Sequence, residues 1–330
     1  MTRLNPLDIA AFEKFLLEQD NFLIVSHVNP DGDAVSSSLA IGYILKSLNK
    51  KFVIVNQDPY PKRFTFLKKY DLLKLASEIT DKFTNVITVD TADINRLGEA
   101  EQLIAAKSTI VNIDHHLSGS QYGDINLVIT TAASTTEVIY RLAKALDFEF
   151  TKEFAEYIYT GLLTDTGGFR YANTAPDTLQ LAAELATHGI KPGELADRSL
   201  EKISLRYLKG LKVVLNNIEF YENETIIGSL LDYKSLKKLD DEADGIVSLL
   251  RNIDNVDISF LIKEDNPGKY RVSLRSNKMV DVSQVAAEFG GGGHFNASGF
   301  SYEGDLAVLK DRIVAKVVDY KKNKGIELVE

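Results

Sequence analysis

Acidic and histidine side chains gather in four short segments of this 330-residue sequence, and together they could hold divalent metal ions. The segments are SHVNPDGDA (26–34), VDTAD (89–93), DHH (114–116) and LLTDTGGF (162–169), and they supply His27, Asp31, Asp33, Asp90, Asp93, Asp114, His115, His116 and Asp165. Imidazole and carboxylate groups without thiolates suit Mn²⁺, Mg²⁺, Fe²⁺ or Zn²⁺. These residues are more than one ion can bind, but two ions that share a carboxylate would use them all. Two-metal sites of this kind are typical of phosphoester hydrolysis.

Each segment alone has an ordinary structural explanation. NPDGD is more often a turn than a metal site, DHH alone is evenly balanced, and Asp165 could cap a helix end. His188, in LATHGI, favours a role at a helix C-terminus. The four segments together favour metals, because clustered carboxylates without cations are costly to bury.

A second group of residues lies in FGGGGHFNASGF (289–300). Consecutive glycines let backbone N–H groups approach a ligand closely, and such arrangements favour phosphate oxygens. We therefore expect a substrate-binding loop rather than a flexible one, formed by Gly290, Gly291, Gly292, Gly293, His294, Asn296 and Ser298. Arg275 ends a predicted strand and could bind phosphate, or it could be a surface charge. The helix from 131 opens with a Ser/Thr cluster and Glu137, which favours capping, although phosphate binding is the alternative.

The elements that must position these groups form an α/β fold. Apolar runs at 21–28, 51–56, 85–90 and 109–114 predict strands, and helix patterns lie at 34–48, 96–107, 135–146, 151–163, 177–187 and 193–203. Strands of this kind alternating with helices predict a doubly wound, mainly parallel sheet. Ligands bind such sheets outside the carboxyl ends of the strands, where the acids and histidines fall.

The pattern changes near residue 204. A connecting helix is predicted there, and the later runs ETIIGSLL, VDISFLIKED and GKYRVSLRSN alternate as in an antiparallel or mixed sheet, with DNPG as a turn. We predict a first domain at 1–190, a helical linker at 191–215 and a smaller mixed-sheet α/β domain at 216–330.

Composition narrows the class of protein. The formal charge of −9 argues against binding long nucleic acid, which usually requires a basic surplus. The chain has no cysteine, which excludes disulfides and thiolate sites. No apolar run reaches membrane-spanning length, and the N-terminus lacks the pattern of a signal peptide. A cytoplasmic protein without membrane contacts is expected.

Taken together, the four segments resemble the motifs of the DHH phosphoesterase family in their usual order. GGGGHFNASG resembles the signature of the DHH-associated C-terminal domain. The resemblance spans nearly the whole chain, and size and layout are similar to the nanoRNase and oligoribonuclease branch. RecJ exonucleases share the motifs but carry extra domains, and family II pyrophosphatases lack the glycine-rich loop.

The resemblance implies two divalent cations, Mn²⁺ first and Mg²⁺ as the alternative. His27, Asp31 and Asp90 would hold one ion. The other would be held by Asp33, Asp90, His115 and Asp165. Asp114 would orient a ligand and His116 would contact the scissile phosphate, while Arg275 and the 290–294 loop would hold the far end of the substrate.

The implied activity is hydrolysis of very short RNA, including the dinucleotide pApA, to nucleoside 5′-monophosphates. Dephosphorylation of 3′-phosphoadenosine 5′-phosphate (pAp) is expected as a second activity. The alternatives are a dedicated pAp phosphatase, a cyclic-dinucleotide phosphodiesterase or a nucleotide-binding regulator without turnover. The resemblance leaves a homodimer open.

Overall fold

The computed structural model describes residues 5–116, 121–238, 246–277 and 280–325, and it gives the backbone but not the side chain of His294. The chain divides into two compact units, Met1–Lys202 and Ile203–Glu330. Each unit contains one six-stranded sheet with helices, which confirms the predicted α/β class. Among the described residues, no helix combines the length and the apolar character that crossing a membrane requires.

The first unit has an all-parallel sheet. Its strands are β1 (Phe22–Ser26), β2 (Phe52–Asn56), β3 (Leu73–Leu75), β4 (Phe83–Val89), β5 (Ile104–Asp114) and β6 (Ile125–Val128). The strand order is β3-β2-β1-β4-β5-β6, and every neighbouring pair is parallel. The direction of winding therefore reverses between β1 and β4, and the crevice at that point is where doubly wound sheets bind ligands.

Both faces of this sheet are covered. The helices of the unit are α1 (Pro6–Glu18), α2 (Gly32–Ser47), α3 (Thr135–Ala145), α4 (Lys152–Asp165), α5 (Pro176–Ala186) and α6 (Pro192–Ala196). On one face these helices bury a large apolar core against the sheet. On the other face a smaller core includes Ala76, Leu97 and Leu103 from 3-10 segments. Burial on both sides explains why the strands read as continuous apolar runs.

The structure corrects two predicted helices. Residues 96–107 do not form an α-helix: a 3-10 segment runs from Ile94 to Leu103, and β5 begins at Ile104. Gly98 breaks this segment with φ +58°, a left-handed conformation that favours glycine. The helix predicted at 193–203 is α6 followed by one π-helical turn, Asp197–Glu201. The short edge strands β3 and β6 were not predicted, because three or four residues carry little periodic signal.

The second unit has a mixed sheet. Its strands are β7 (Glu219–Tyr221), β8 (Ile226–Leu231), β9 (Ile258–Asn266), β10 (Lys269–Ser276), β11 (Gly292–His294) and β12 (Ala297–Glu303). Its helices are α7 (Leu205–Asn216), α8 (Tyr233–Leu236), α9 (Ile246–Arg251), α10 (Val282–Ala287) and α11 (Leu306–Asn323). The order is β11-β12-β10-β9-β8-β7, with only β8 and β9 parallel, so the predicted mixed sheet is confirmed.

Candidate metal centre

The first part of the centre lies at the end of β1. His27 follows this strand, and its Nδ1 lies 2.7 Å from the carbonyl oxygen of Val28, which requires a proton on Nδ1. The lone pair of Nε2 is then free for a metal. This Nε2 lies 3.4 Å from Asp90 Oδ2 and 3.9 Å from Asp31 Oδ1, so side chains from two segments meet at the β1–β4 crevice.

Asp90 is the shared carboxylate of the cluster. It follows β4 directly and has φ +55°, an uncommon conformation for a residue with a side chain. Its N–H donates to the carbonyl oxygen of Ile113 (3.0 Å), and its Oδ1 accepts from Thr135 Oγ1 (3.0 Å). The same Oδ1 lies 3.7 Å from His115 Nε2 and 3.8 Å from His116 Nδ1. The left-handed backbone thus places one buried carboxylate among three imidazoles.

Asp31 and Asp33 lie at the start of α2 and have different environments. Asp31 caps this helix and accepts from the N–H groups of Asp33 (3.0 Å) and Ala34 (3.1 Å), with its side chain half exposed. Asp33 is fully buried and accepts from the N–H groups of Thr135 (2.6 Å) and Thr136 (3.1 Å). The N-terminus of α3 therefore stabilises a carboxylate of the protein itself.

The capping arrangement predicted at the start of α3 is present. Ser134 Oγ accepts from the N–H of Glu137 at 3.1 Å, and Glu137 Oε2 accepts from the N–H of Ala133 at 3.0 Å. The first bond satisfies an N–H group that the first helical turn leaves without a partner, and the second binds the N–H of the residue just before the cap. Glu137 is thus committed to structure and does not join the cluster.

Asp165 is the last residue of α4. Its Oδ2 lies 3.1 Å from His115 Nε2, while His115 Nδ1 faces the carbonyl oxygen of Ala132 at 3.3 Å. The close approach of α4 depends on Gly161, because a Cβ there would lie 2.5 Å from Asp33 Oδ1 and 2.3 Å from Thr136 Oγ1.

Asp114 makes hydrogen bonds to both residues of the histidine pair, His115 and His116. It ends β5 and is fully buried, and its Oδ1 accepts from the N–H of His115 (2.8 Å) and faces His116 Nδ1 at 2.7 Å. The second bond orients His116 and leaves its Nε2 for another partner. Asp114 is thus placed behind the histidines rather than among the groups that could bind an ion.

These side chains form three overlapping groups in which the candidate ligand atoms lie within 4.8 Å of one another. The groups are His27–Asp31–Asp90, Asp33–His115–Asp165 and Asp90–His115–His116. Nitrogen and oxygen ligands of this kind fit Mn²⁺, Mg²⁺ or Zn²⁺. The shared Asp90 and His115 connect the three groups into one continuous cluster.

The pKa shifts show how strongly these groups interact. Burial raises the pKa of Asp33 well above its usual range. For Asp90, burial acts in the same direction, but the hydrogen bond and charge of His27 and the charges of His115 and His116 lower its pKa to about 2. For His115, burial opposes protonation, yet the bond to Asp165 and the neighbouring carboxylates raise its pKa to about 10. In the absence of a cation, a proton on His115 offsets part of the negative charge.

Two residues singled out in the sequence lie outside the cluster. Asp93 caps the 3-10 segment and accepts from the N–H (2.9 Å) and the Nδ2 (2.7 Å) of Asn95. His188 follows α5, and its ring centroid is 5.7 Å from that of Phe150. Both carry out local structural roles.

The glycine-rich segment forms a hairpin in the second unit. Gly290, with φ +75°, turns the chain out of α10, and Gly292 and Gly293 pair with Gly299 and Ser298 in β11–β12. Packing explains two of the four glycines. A Cβ at Gly291 would lie 2.3 Å from the carbonyl oxygen of Gly299, and one at Gly293 would lie 2.6 Å from that of Ala297. Gly290 and Gly292 face open space.

Other predicted substrate-binding residues lie around this hairpin. Arg275 stands near the end of β10 and pairs with Ala297 of β12, and its Nη1 donates to the carbonyl oxygen of Leu274 at 2.9 Å. Asn296 lies in the hairpin turn, where its carbonyl oxygen accepts from the N–H of Ser276. Ser298 is buried in β12. The side chain of His294 lies outside the described part of the structure.

Sequence reasoning missed the groups that support the candidate ligands. Thr135 binds both Asp33 and Asp90, and Asn173 Nδ2 donates to the carbonyl oxygens of Ala133 (3.0 Å) and Asp165 (3.1 Å). The Ser/Thr cluster at 134–136 was visible as a capping signal. Its contacts with acids about 45 and 100 positions away are set by the fold.

Two family models match the chain. Residues 21–162 match the DHH family, N-terminal domain, and residues 229–323 match the DHHA1 domain. The bifunctional oligoribonuclease and PAP phosphatase NrnA of Thermus thermophilus is 33% identical over 298 residues, covering 89% of this chain and 88% of the relative. This chain belongs to the DHH family. As a DHH protein, it is a phosphoester hydrolase in class.

Further relatives support the same family. The NrnA protein of Bacillus subtilis is 33% identical over 306 residues, covering 90% of this chain and 93% of the relative. A crystal structure of an exopolyphosphatase-related protein from Bacteroides fragilis superposes with a TM-score of 0.89 at 27% identity, covering 98% and 99% of the two chains. The exonuclease RecJ bound to manganese shares the fold, with a TM-score of 0.56 at 16% identity, covering 97% and 95%.

Proposed function

We propose that this DHH protein is a two-metal phosphodiesterase that cleaves very short RNA to nucleoside 5′-monophosphates and also removes the 3′-phosphate of pAp. The observation that carries the proposal is the set of three overlapping groups of candidate ligands, in which Asp90 and His115 are each shared by two groups. The names of the NrnA relatives, oligoribonuclease and PAP phosphatase, support the choice of substrates.

The candidate ligands divide between two ions. We assign one ion to His27, Asp31 and Asp90. We assign the other to Asp33, Asp90, His115 and Asp165. Divalent ions bound there would lower the pKa of a water molecule and neutralise charge on the phosphoryl group. Manganese is the proposed metal, with Mg²⁺ as the alternative; a ligand set of imidazole and carboxylate without thiolate fits both.

His116 is proposed to contact the phosphoryl group. Its Nδ1 is fixed by Asp114 Oδ1, so its Nε2 is held in one orientation. The hydrogen bond that His116 donates to Asp114 is the main cause of the raised pKa of His116, which favours the charged imidazolium. A fixed cationic donor stabilises negative charge that develops as the bond between phosphorus and the 3′-oxygen breaks. Both proposed substrates lose a nucleoside 5′-phosphate through this bond.

The second unit is proposed to bind a terminal part of the substrate. Gly290 and Gly292 have open space where a side chain would stand, so a ligand can approach the hairpin there, while the N–H groups of Gly290 and Gly291 donate to the carbonyl oxygens of Ala287 and Ala286. We assign phosphate recognition to Arg275, the Gly290–Gly293 segment and His294, with Asn296 and Ser298 shaping the hairpin. Arginine and backbone N–H groups are the usual partners of a phosphate.

The test is a comparison of initial rates with Mn²⁺ on pApA, an RNA 5-mer, pAp, pyrophosphate and polyphosphate. Release of AMP from pApA and of phosphate from pAp is expected. Asp90→Ala should lower both rates by at least about 100-fold, because it removes the shared ligand. Asp93→Ala is the matched control, since Asp93 only caps a 3-10 segment. Turnover of pyrophosphate or polyphosphate alone would contradict the proposal.

A further inference from the structure

An exposed aromatic residue lies in the segment that follows the candidate ligand Asp165. Tyr171 comes six residues after Asp165, and 56% of the residue is exposed. The segment that follows α4 folds back on the end of this helix. The N–H of Tyr171 donates to the carbonyl oxygen of Thr166 at 3.0 Å, and Asn173 Nδ2 donates to that of Asp165 at 3.1 Å. Tyr171 is therefore anchored to the same turn as a candidate metal ligand.

One face of this ring rests on the backbone of Gly167. A Cβ built on Gly167 would lie 2.4, 2.5 and 2.8 Å from the Cζ, Cε1 and Cε2 atoms of Tyr171. Three distances so similar mean that the glycine faces the plane of the ring and not its edge. Gly167 has φ +57°, which itself favours glycine. The backbone thus supports one ring face, and the exposed area belongs to the other side.

Among the described residues, neither the Tyr171 hydroxyl nor the free face of its ring has an interaction that would explain the residue. The Tyr171 hydroxyl makes no hydrogen bond to a described residue, and no other aromatic ring stacks on it there. Its neighbour Phe169 is different, because that ring packs edge-on against Tyr159 at 5.9 Å. A single exposed aromatic side chain is ordinary. Support of one face by Gly167, two residues after Asp165, is what makes this ring suited to a ligand.

We propose that Tyr171 is a stacking platform for a nucleobase that flanks the scissile phosphate. The inference rests on the proposed function and deepens it, since a phosphate bound at Asp165 brings its own nucleosides next to this segment. Aromatic side chains bind unpaired bases by stacking, and they tolerate any base because every base has a π-face. Tyr171 would thus favour nucleotides over phosphoesters without a base, with no preference for sequence.

The test compares Tyr171→Ala and Tyr171→Phe with the wild-type protein on pApA, pAp and pApA analogues that lack one base. The Ala variant should raise KM for pApA by about 10-fold or more, the lower part of the range for one stacked base. kcat should change little. The Phe variant should behave as wild type, because the hydroxyl has no partner among the described residues. On one abasic analogue, the Ala variant and wild type should have the same KM.

The pattern across substrates identifies the stacked base. Loss on both pApA and pAp assigns it to the nucleotide that leaves, which the two substrates share. Loss on pApA alone assigns it to the other nucleotide. Leu179→Ala is the matched control, because Leu179 is an exposed apolar residue on α5 and is 50% exposed. Melting temperature and Mn²⁺ affinity of each variant are measured to detect a change in fold or metal site.

Two results would overturn the inference. One is an unchanged KM for pApA in the Ala variant, and the other is an equal loss on every abasic analogue, which would mean that Tyr171 acts only through structure. The dissociation constant of a non-hydrolysable pApA analogue is measured in parallel. Absence of wild-type turnover would therefore contradict the proposed function alone. The stacking role would still be tested by the dissociation constants of the variants for the analogue.

Discussion

At the scale of single residues, the site consists of direct candidate ligands and of groups that fix them. Asp90 is reached by three histidines, and Asp33 by two backbone N–H groups of α3. The carboxylates of Asp90 and Asp33 thus each have several partners within the protein. This preorganisation reduces the cost of gathering like charges in a buried place.

Asp114 offers a test of the positioning role. Asp114→Asn keeps the shape of the side chain but removes the charge that raises the pKa of His116. We expect kcat for pApA to fall by about 10- to 100-fold, as for other residues that orient a ligand, with a smaller effect on Mn²⁺ affinity. Asp93→Asn serves as control and should keep the wild-type rate. An Asp114→Asn enzyme with wild-type kcat would contradict the role.

Protonation of the histidines predicts a pH dependence of metal binding. The pKa of His115 is raised to about 10 without metal, so His115 carries a proton at neutral pH and must lose it to bind an ion. Mn²⁺ affinity should therefore rise with pH, by up to about tenfold per pH unit for each proton displaced. Calorimetry in buffers of different ionisation enthalpy would count the released protons. Affinity independent of pH between about 6 and 8 would contradict this expectation.

At the scale of elements, the strand order decides which segments meet. β1 and β4 are adjacent although 56 residues separate the last residue of one from the first of the other, since β1 ends at Ser26 and β4 begins at Phe83. The apolar runs predicted these two strands well, because buried parallel strands have a clear composition. The kink at Gly98 was not predicted, and part of the need for glycine there is a tertiary contact, since a Cβ would lie 2.1 Å from Gln57 Oε1.

The approach of α4 to the site gives an element-scale prediction. Gly161→Ala would place a Cβ against Asp33 and Thr136. We expect a loss of about 1–3 kcal/mol in the free energy of unfolding, as for other overpacked sites, together with weaker Mn²⁺ binding. Urea unfolding and Mn²⁺ titration measure both. Gly193→Ala in α6 is the control, because nothing lies within 4 Å of its Cβ. Equal behaviour of the two variants would refute the close-approach argument.

At the scale of the whole molecule, each compact unit has cores on both faces of its own sheet. All six candidate metal ligands belong to the Met1–Lys202 unit. A saturating metal stabilises what it binds, by about 2.7 kcal/mol at 100 times its dissociation constant. The effect should therefore concentrate in the first unit.

Hydrogen exchange can locate that effect. With Mn²⁺ and no substrate, protection should increase in the segments around Asp33, Asp90, His115 and Thr135, because ligands and their supports become fixed. The strands β9 and β10 of the second unit should exchange as before. A uniform increase across both units would contradict binding confined to the first. NaCl at equal ionic strength serves as the control.

The sequence by itself determined the residue types, the order of the four segments and the class of fold, because apolar periodicity and strand-end chemistry are local signals. The sequence also indicated that the glycine-rich segment is an ordered substrate-binding loop rather than a flexible one. Only the tertiary structure showed that Asp93 caps a 3-10 segment and that Gly291 and Gly293 are needed for packing. It also showed that Thr135 donates hydrogen bonds to both Asp33 and Asp90. These depend on contacts between residues far apart in the chain, and such contacts are set by strand order and helix approach rather than by neighbouring residues.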